Sequence, residues 1–352
     1  LTRPNHVPPI LDRIPYDASP DGTRVALGLD NPLADMDGDG RPDLAIGRLP
    51  AQTPAALTAM IDRIAAHEAV DEWKNRVLMV TDKDADDAFG LAGDRLAAGV
   101  PAGMAVQRVR HATNTPAATM RTNFIQAMNS GASLAVYYGH ANNIGMSSPY
   151  FFEHSYVRTY MTSLTNVAQA PLLIAGTCML NDFAPPNPDN RCLGKGFLDT
   201  AAGGAVAVWA SAAESTLPMA EATANAIFAK LFVGDNARLG ELIRPALILQ
   251  AQSASPWTVR SSVLLGDPGT RVRTHMFYPR CAVSPTESSV PSGGAVGRTI
   301  AVAANVEWTA VANQPWISIT MERRHSTWRP IRGPPVRARS RFPAAESAAP
   351  SR

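Results

Sequence analysis

Cysteine is scarce in this 352-residue chain, which has three: Cys178, Cys192 and Cys281. Three are too few for a disulfide framework, and none forms a C-x-x-C pair, which removes a structural zinc site as well. A single Cys192–Cys281 bridge stays open, and so does the redox compartment. Lysine occurs only at Lys74, Lys83, Lys195 and Lys230, so the basic charge is almost all arginine, as in chains from GC-rich genomes. No stretch approaches ~20 uninterrupted apolar residues, which excludes a transmembrane helix. The opening LTRPNHVPPILDRIPYD has neither the basic start nor the apolar centre of a signal peptide. No G-x-S-x-G elbow follows a strand, and neither a P-loop nor G-x-G-x-x-G follows the first strands. The α/β-hydrolase and nucleotide-binding readings fall on those absences. The chain opens on Leu1 and not on Met, as a fragment or a processed product would.

What is present is a soluble globular composition, 45% hydrophobic and 18% charged, in a chain long enough for one large core or two smaller ones. The net charge of +2 conceals an asymmetry. Residues 321–352 hold eight Arg against two Glu, which leaves 24 basic and 28 acidic residues in the mildly acidic body. A nucleic-acid partner would rest on that tail alone, which lacks interleaved aromatics and a folded face, so none is expected.

Two apolar runs each end in a reactive side chain. Ala132 to Gly139 delivers His140, and Pro171 to Thr177 delivers Cys178. Short β-branched or aromatic runs bounded by turn residues read as buried parallel strands. Further strands are predicted at Arg76–Thr81, Met104–Arg108, Ser133–Tyr138, Leu172–Ala175 and Ala205–Trp209, and a short one in PDLAIGRLPAQT. Helical spacing marks Pro54–Val70, Asp86–Ala98, Pro116–Asn129, His154–Leu164, Gly194–Ala202, Met219–Phe232 and Ala237–Gln252. Strands alternating with helices of this length predict right-handed crossovers and an α/β/α sandwich with a mostly parallel sheet.

Ligand and catalytic groups in such sheets lie at the carboxyl ends of strands. A lone Cys or His after an apolar run is usually a core or rim residue. Two of them at the ends of successive strands, each beside a Gly, place a thiol and an imidazole on one rim, as in a cysteine peptidase. Cys178 would attack as the thiolate and His140 would manage the proton of the departing amine. The backbone N–H groups of Cys178 and Ala141 would stabilise the oxyanion, while the Thr177 hydroxyl serves packing or the turn. Alternation puts Tyr138 and Gly176 on the side of His140 and Cys178, and Trp209 ends the next strand, so these three could wall the substrate pocket. A basic preference needs a buried acid; Asp82, Asp94 and Asp182 are the candidates, each of which also reads as a surface, cap or turn Asp.

The string YYGHANN, then AGTCMLNDF, LGKGFLDTAAGGAVAVWAS, RLGELI and LLGDP resembles the gingipain-like cysteine peptidases, and the upstream DMDGDGRPDLAIGRLPAQT is similar to a segment of the same family. The resemblance spans roughly residues 30–270. It implies a caspase-like fold and an endopeptidase acting on protein or peptide, with His140 as general acid and base and Cys178 as nucleophile. Ala141 stands where the family usually has Gly, and Lys195 where it often has Glu. The family's catalytic unit normally has another subdomain upstream, so residues 1–70 read as its remnant and 71–276 as the catalytic subdomain.

Asp35, Asp37, Asp39 and Asp43, with Gly40, form D-x-D-x-D-G-x-x-D. The spacing resembles the first nine positions of a calcium loop, with the Arg41 carbonyl free to ligate, although Ile46 occupies the place of the bidentate Glu. The plainer alternative is an Asp/Gly turn held by Asx hydrogen bonds. Four carboxylates this close repel one another without a cation, so the spacing predicts structural calcium, a modest pointer to secretion. No organic cofactor is implied. TDKDADD, from Thr81 to Asp87, reads as a cap for the following helix.

Beyond Asp267-Pro268 the helical period disappears. Residues 277–320 read as part of a β-sandwich, and residues 321–352 as a disordered basic tail. CAVSPTESSVPSGGAVGRTIAVAANVEWTAVANQPWISIT resembles a BACON domain, an immunoglobulin-like module of bacterial secreted enzymes, with Trp308 and Trp316 as core residues. Contact with glycan or mucin is a family-level implication. The whole reading is a secreted or surface bacterial cysteine endopeptidase. A transpeptidase using the same dyad and an inactive, secretion-associated scaffold stay open.

Overall fold

The computed structural model describes residues 8–15, 24–69, 72–155, 159–184, 192–232, 237–253, 256–272, 281–284, 298–304, 317–321 and 336–340. Trp308 and Trp316 lie outside the described residues. The chain divides into two units, Leu1–His275 and Met276–Arg352.

The first unit begins with an antiparallel pair, β1 (Ile10–Pro15) and β2 (Arg24–Leu29). Helix α1 (Pro54–Glu68) follows; the Thr53 hydroxyl accepts from Ala56 N–H and Pro54 stands in the first turn, both standard entry signals. Next come β3 (Arg76–Thr81), α2 (Ala88–Ala98), β4 (Ala105–Arg110), α3 (Ala117–Asn129) and β5 (Leu134–Tyr138). A small ribbon, β6 (Gly145–Met146) and β7 (Phe152–Glu153), leads to β8 (Leu172–Gly176), α4 (Leu193–Asp199), β9 (Ala207–Ser211) and α5 (Leu217–Leu231). Helices α6 (Leu239–Ser253) and α7 (Pro256–Ser261) and strand β10 (Ser262–Leu265) complete it.

Six strands form one sheet in the order β10-β9-β8-β5-β3-β4, parallel except for β10. Helices α2 and α5 pack on one face, with α6 against α5; α3 and α4 pack on the other, with α1 against α4. Strands covered on both faces have no wet side, and every residue of β5 and β9 is buried. The aromatic centre of the core is Phe124, Tyr137, Phe151, Phe152 and Phe197. One charge is buried with them: Arg63 of α1 donates to the carbonyls of Phe197, Leu198, Ala205 and Thr200, where α4 ends. Burial lowers the pKa of its guanidinium from the ordinary value, and Asp199 works against that.

Two sequence expectations differ from the first unit, and β10 was not among the predicted strands. Among the described residues of the segment predicted helical at His154–Leu164 there is instead a bridge from His154 to Thr159 and a 3-10 turn at Met161–Ser163. Its side chains compete for the backbone: the Thr159 hydroxyl sits 2.8 Å from His154 Nδ1 and accepts from Met161 N–H at 3.2 Å. The strand expected in PDLAIGRLPAQT reduces to one bridge, Arg48 to Leu265, at the β10 edge of the sheet. The edge strand β10 is four residues directly after a helix, too short for a period to show.

In the second unit, β11 (Cys281–Ser284), β12 (Arg298–Ala304), β13 (Ile317–Met321) and β14 (Val336–Ser340) make an antiparallel sheet in the order β11-β12-β14-β13. Strand β14 stands in the stretch for which the sequence predicts no regular structure. Its VRARS alternates in the two-residue period of a strand.

Candidate active site

Strands β5 and β8 are adjacent and parallel, and their last paired residues are Tyr138 and Gly176. His140 and Cys178 each lie two residues past that pair, on neighbouring strands ~4.8 Å apart. Alternation returns both to the face covered by α2 and α5. There the His140 ring meets the Phe89 ring of α2 edge-on, centroids 5.1 Å apart. Cys178 Sγ meets the segment entering α5, donating to Ser215 O and accepting from Ser215 N–H, each at 3.4 Å. Each of these helices follows a parallel strand, which brings its amino end to this rim, where the dipole favours an anion.

The thiol is part-buried. Burial pushes its pKa above the ordinary value, the Ser215 N–H pulls it down, and the charge of Glu214 adds to the rise. A resting thiol of this kind keeps its proton until a base takes it. Met179 follows in the left-handed region at φ 55°, with its N–H on Ala213 O at 2.9 Å. A non-glycine residue there carries a cost of order 1–3 kcal/mol, and the turn it makes sets Cys178 at the end of its strand. Neither the Ala141 N–H nor the Cys178 N–H takes part in a backbone turn or loop hydrogen bond among the described residues.

Beneath His140 lies a polar cluster that the sequence reading did not assemble. Asp82, 1% exposed, accepts from the Ser147 hydroxyl at 2.6 Å and from His140 N–H at 3.2 Å, and its Oδ1 lies 3.0 Å from His111 Nδ1. His111 is equally buried, and its Nε2 lies 3.1 Å from Thr115 O. Both ring nitrogens therefore lie against oxygen atoms, which holds the ring in place. The Tyr137 hydroxyl donates to His140 O at 2.7 Å, and Ser147 N–H does so at 2.6 Å. The His140 turn is thus tied at both its N–H and its carbonyl. Asp82 closes β3, and His111 and Ser147 come from other loops; their one sequence signal was the acid in TDKDADD.

The other predicted residues divide. Tyr138 and Gly176 do share a face with the dyad, but α5 covers them. Tyr138 is 1% exposed and Trp209 4%, and a Cβ on Gly176 would meet the Tyr138 ring at 2.7 Å. The missing Cβ at Gly176 makes room for Ala220 of α5. The hydroxyls of Tyr138 and Thr177 and the Trp209 indole N–H have no hydrogen-bond partner among the described residues. Of the three acids, Asp82 is consumed by its cluster, and Asp94 pairs with Arg108 and Arg110. Asp182 is buried with Oδ1 unpartnered among the described residues; burial raises its pKa to about 6, the Ala184 N–H opposing. Cys192 is a buried free thiol. It accepts from Lys195 N–H at 3.3 Å to cap α4, and burial pushes its pKa up to about 12. Lys195 pairs with Asp199.

In the acidic loop, carboxylate oxygens of Asp35, Asp37 and Asp39 lie within 4.8 Å of one another. Asp35 accepts from Gly38 and Gly40 N–H, Asp37 from Asp39, and Asp39 from Arg41, while Asp43 turns to Met36 N–H. In TDKDADD, Asp84 accepts from Ala88 N–H at the start of α2, as a cap does.

A mostly parallel sheet with helices on both faces and a His and a Cys on its rim defines the class: a caspase-like α/β/α fold, an architecture of cysteine peptidases. The chain belongs to peptidase family C25, the gingipain family, whose model matches residues 2–273. Among solved structures it is similar to the complex of the pro- and mature domains of Porphyromonas gingivalis RgpB, at 18% identity and a TM-score of 0.61, over 84% of this chain and 70% of that one. It is similar to the Arg-specific cysteine proteinase gingipain R at 18% identity and a TM-score of 0.60, over 84% and 68%. A third, described as a protease, gives 17% identity and 0.58, over 79% and 66%. At these identities the likeness shows the fold. No curated protein matches the chain in sequence.

Proposed function

We propose that this chain is a cysteine endopeptidase in which Cys178 attacks the scissile carbonyl and His140 moves the proton. The observation that carries the reading is the Tyr138–Gly176 pair of β5 and β8, beyond which His140 and Cys178 lie at the same step. The imidazole takes the thiol proton as the substrate displaces Ser215 from Sγ; the S–C bond forms and the oxyanion rests on the Cys178 and Ala141 N–H groups. The C–N bond then breaks, the imidazolium protonates the leaving amine, and water hydrolyses the thioester. Substrates are proteins or peptides, as membership of a peptidase family implies.

A test is intact-mass analysis after incubation with acyloxymethyl ketone peptides, on the parent, Cys178→Ala and His140→Ala. Labelling that vanishes in Cys178→Ala supports the reading. A folded parent that stays unlabelled refutes it and leaves the second reading, a catalytically inactive scaffold. One observation favours that alternative: the thiol's hydrogen bonds go to Ser215, and burial raises its pKa. Adding an amine acceptor to a labelled peptide substrate separates hydrolysis from transpeptidation by product mass.

Structural calcium in the Asp35, Asp37 and Asp39 loop, with the Arg41 carbonyl and Asp43 as further ligands, belongs to the same reading. Its support is the convergence of three carboxylates within 4.8 Å. Calcium should raise the melting temperature of the parent and leave Asp37→Asn/Asp39→Asn unmoved; equal shifts in both refute it. Secretion by a bacterium is the compartment in which such a loop finds abundant calcium. No helix among the described residues is long and apolar enough to cross a membrane. Glycan or mucin contact through the second unit is a proposal that rests on the sequence resemblance; glycan-array binding by the full chain tests it.

A further inference from the structure

Beside the dyad, on the β5 side, the turn that carries His140 folds over a cleft of about 390 Å³ lined by His140, Asn142, Ser147, Ser148 and Tyr150, among others. It lies at the volume where pockets for small ligands begin, roughly 300 Å³, and holds one large side chain with the backbone beside it. Its walls are held before any ligand arrives. Asn142 Oδ1 accepts from Ile144 and Gly145 N–H, both at 3.0 Å, and its Nδ2 donates to the Tyr150 hydroxyl. The Tyr150 ring packs against Gly145, where a Cβ would come within 2.5 Å of it. Ser147 is fixed from below by Asp82.

Position in the reaction follows from proton transfer. The rim runs β9, β8, β5, β3, so Cys178 has the segment before α5 on one side and His140 on the other. The imidazole that protonates the departing nitrogen must lie on the side to which the leaving peptide runs, which is the side of this cleft. Charge follows from the lining. Apart from His140 it has no ionisable carboxylate, ammonium or guanidinium, and the nearest acid, Asp82, has its oxygens engaged beneath the turn. A charged side chain would lose water there and find no partner.

We propose that this cleft receives the residue that follows the scissile bond and selects a neutral one, with Tyr150 as its wall and the exposed Ser148 at its mouth. The inference rests on the peptidase reading, and its test separates the two. Labelling of Cys178 by an acyloxymethyl ketone peptide, which has no residue on the leaving side, reports the peptidase alone. Peptides identical up to the scissile bond and differing after it, as Ser, Tyr, Lys or Glu, then report the cleft through kcat/KM. The parent should cut the Ser and Tyr peptides faster than either charged one. Ser148→Glu should shift the Lys-to-Glu ratio towards Lys by roughly two- to five-fold, the scale of an exposed ion pair, and Ser148→Arg should shift it the other way. Tyr150→Ala should remove any advantage of Tyr over Ser. Normal labelling with ratios unchanged in both Ser148 variants overturns the inference; loss of labelling in the parent overturns the peptidase reading and this one with it.

Discussion

Replacing Asp82 by Ala should cost most of what holds the His140 turn. The carboxylate serves three groups in a place water does not reach: the Ser147 hydroxyl at 2.6 Å, His111 Nδ1 at 3.0 Å and the His140 N–H at 3.2 Å. A buried donor left without an acceptor costs about 1–3 kcal/mol. The Ser147 hydroxyl and the His140 N–H are stranded, His111 keeps Thr115 O, and water entering the vacated space recovers part of the loss. The net is about 3–4 kcal/mol, against a total of order 5–15 kcal/mol for a folded domain. At ~2–4 °C per kcal/mol for a unit of this size, the melting temperature should fall by roughly 10 °C, with the protein still folded at 25 °C. Circular dichroism melts give the stability, and Cys178 labelling at 25 °C gives the positioning. Asp82→Asn, which keeps one acceptor oxygen, should fall between. If Asp82→Ala melts within 2 °C of the parent and labels at the parent rate, the account of the turn is wrong.

Gly176→Ala should destabilise by about 1–3 kcal/mol, because the new Cβ meets Ala220 and the Tyr138 ring, and adding Ala220→Gly should restore part of the melting temperature; no rescue in the double variant counts against the packing account. Arg63→Met should lower the urea midpoint by the equivalent of about 3 kcal/mol, since the carbonyls of Phe197, Leu198 and Ala205 lose their donor, and an unchanged midpoint would remove Arg63 as an anchor. Asp182 has its pKa raised from 3.8 to about 6, so the folded state holds that proton longer than the unfolded chain and stability falls as pH rises through that window. Asp182→Asn lacks this fall. Its stability relative to the parent should therefore grow by roughly 2 kcal/mol from pH 4 to pH 7, after allowance for residual water at the group, and a pH-independent difference in denaturant melts would contradict the assignment.

The helices α1, α2, α3, α5 and α6 and the parallel strands were legible because each is long enough to repeat its period and is bounded by Pro, Gly or a cap. His154–Leu164 misled because its apolar residues fall at helical spacing while His154 and Thr159 bond locally instead. Strand β10 was hidden because four residues carry no period.

For the site, the sequence by itself brought forward the proposed pair: His140 and Cys178 each follow a buried run and a glycine, and a parallel sheet puts the ends of such runs on one rim. The acidic loop was equally plain, since its carboxylates are neighbours in sequence. The tertiary structure decided everything that depends on which distant segments meet. Asp82, His111 and Ser147 converge from three loops under the His140 turn, an arrangement no local spacing encodes. Tyr138 and Gly176 have the alternation of pocket residues, yet α5 covers them, because strand period fixes only the face on which a side chain lies and packing fixes what lies over it.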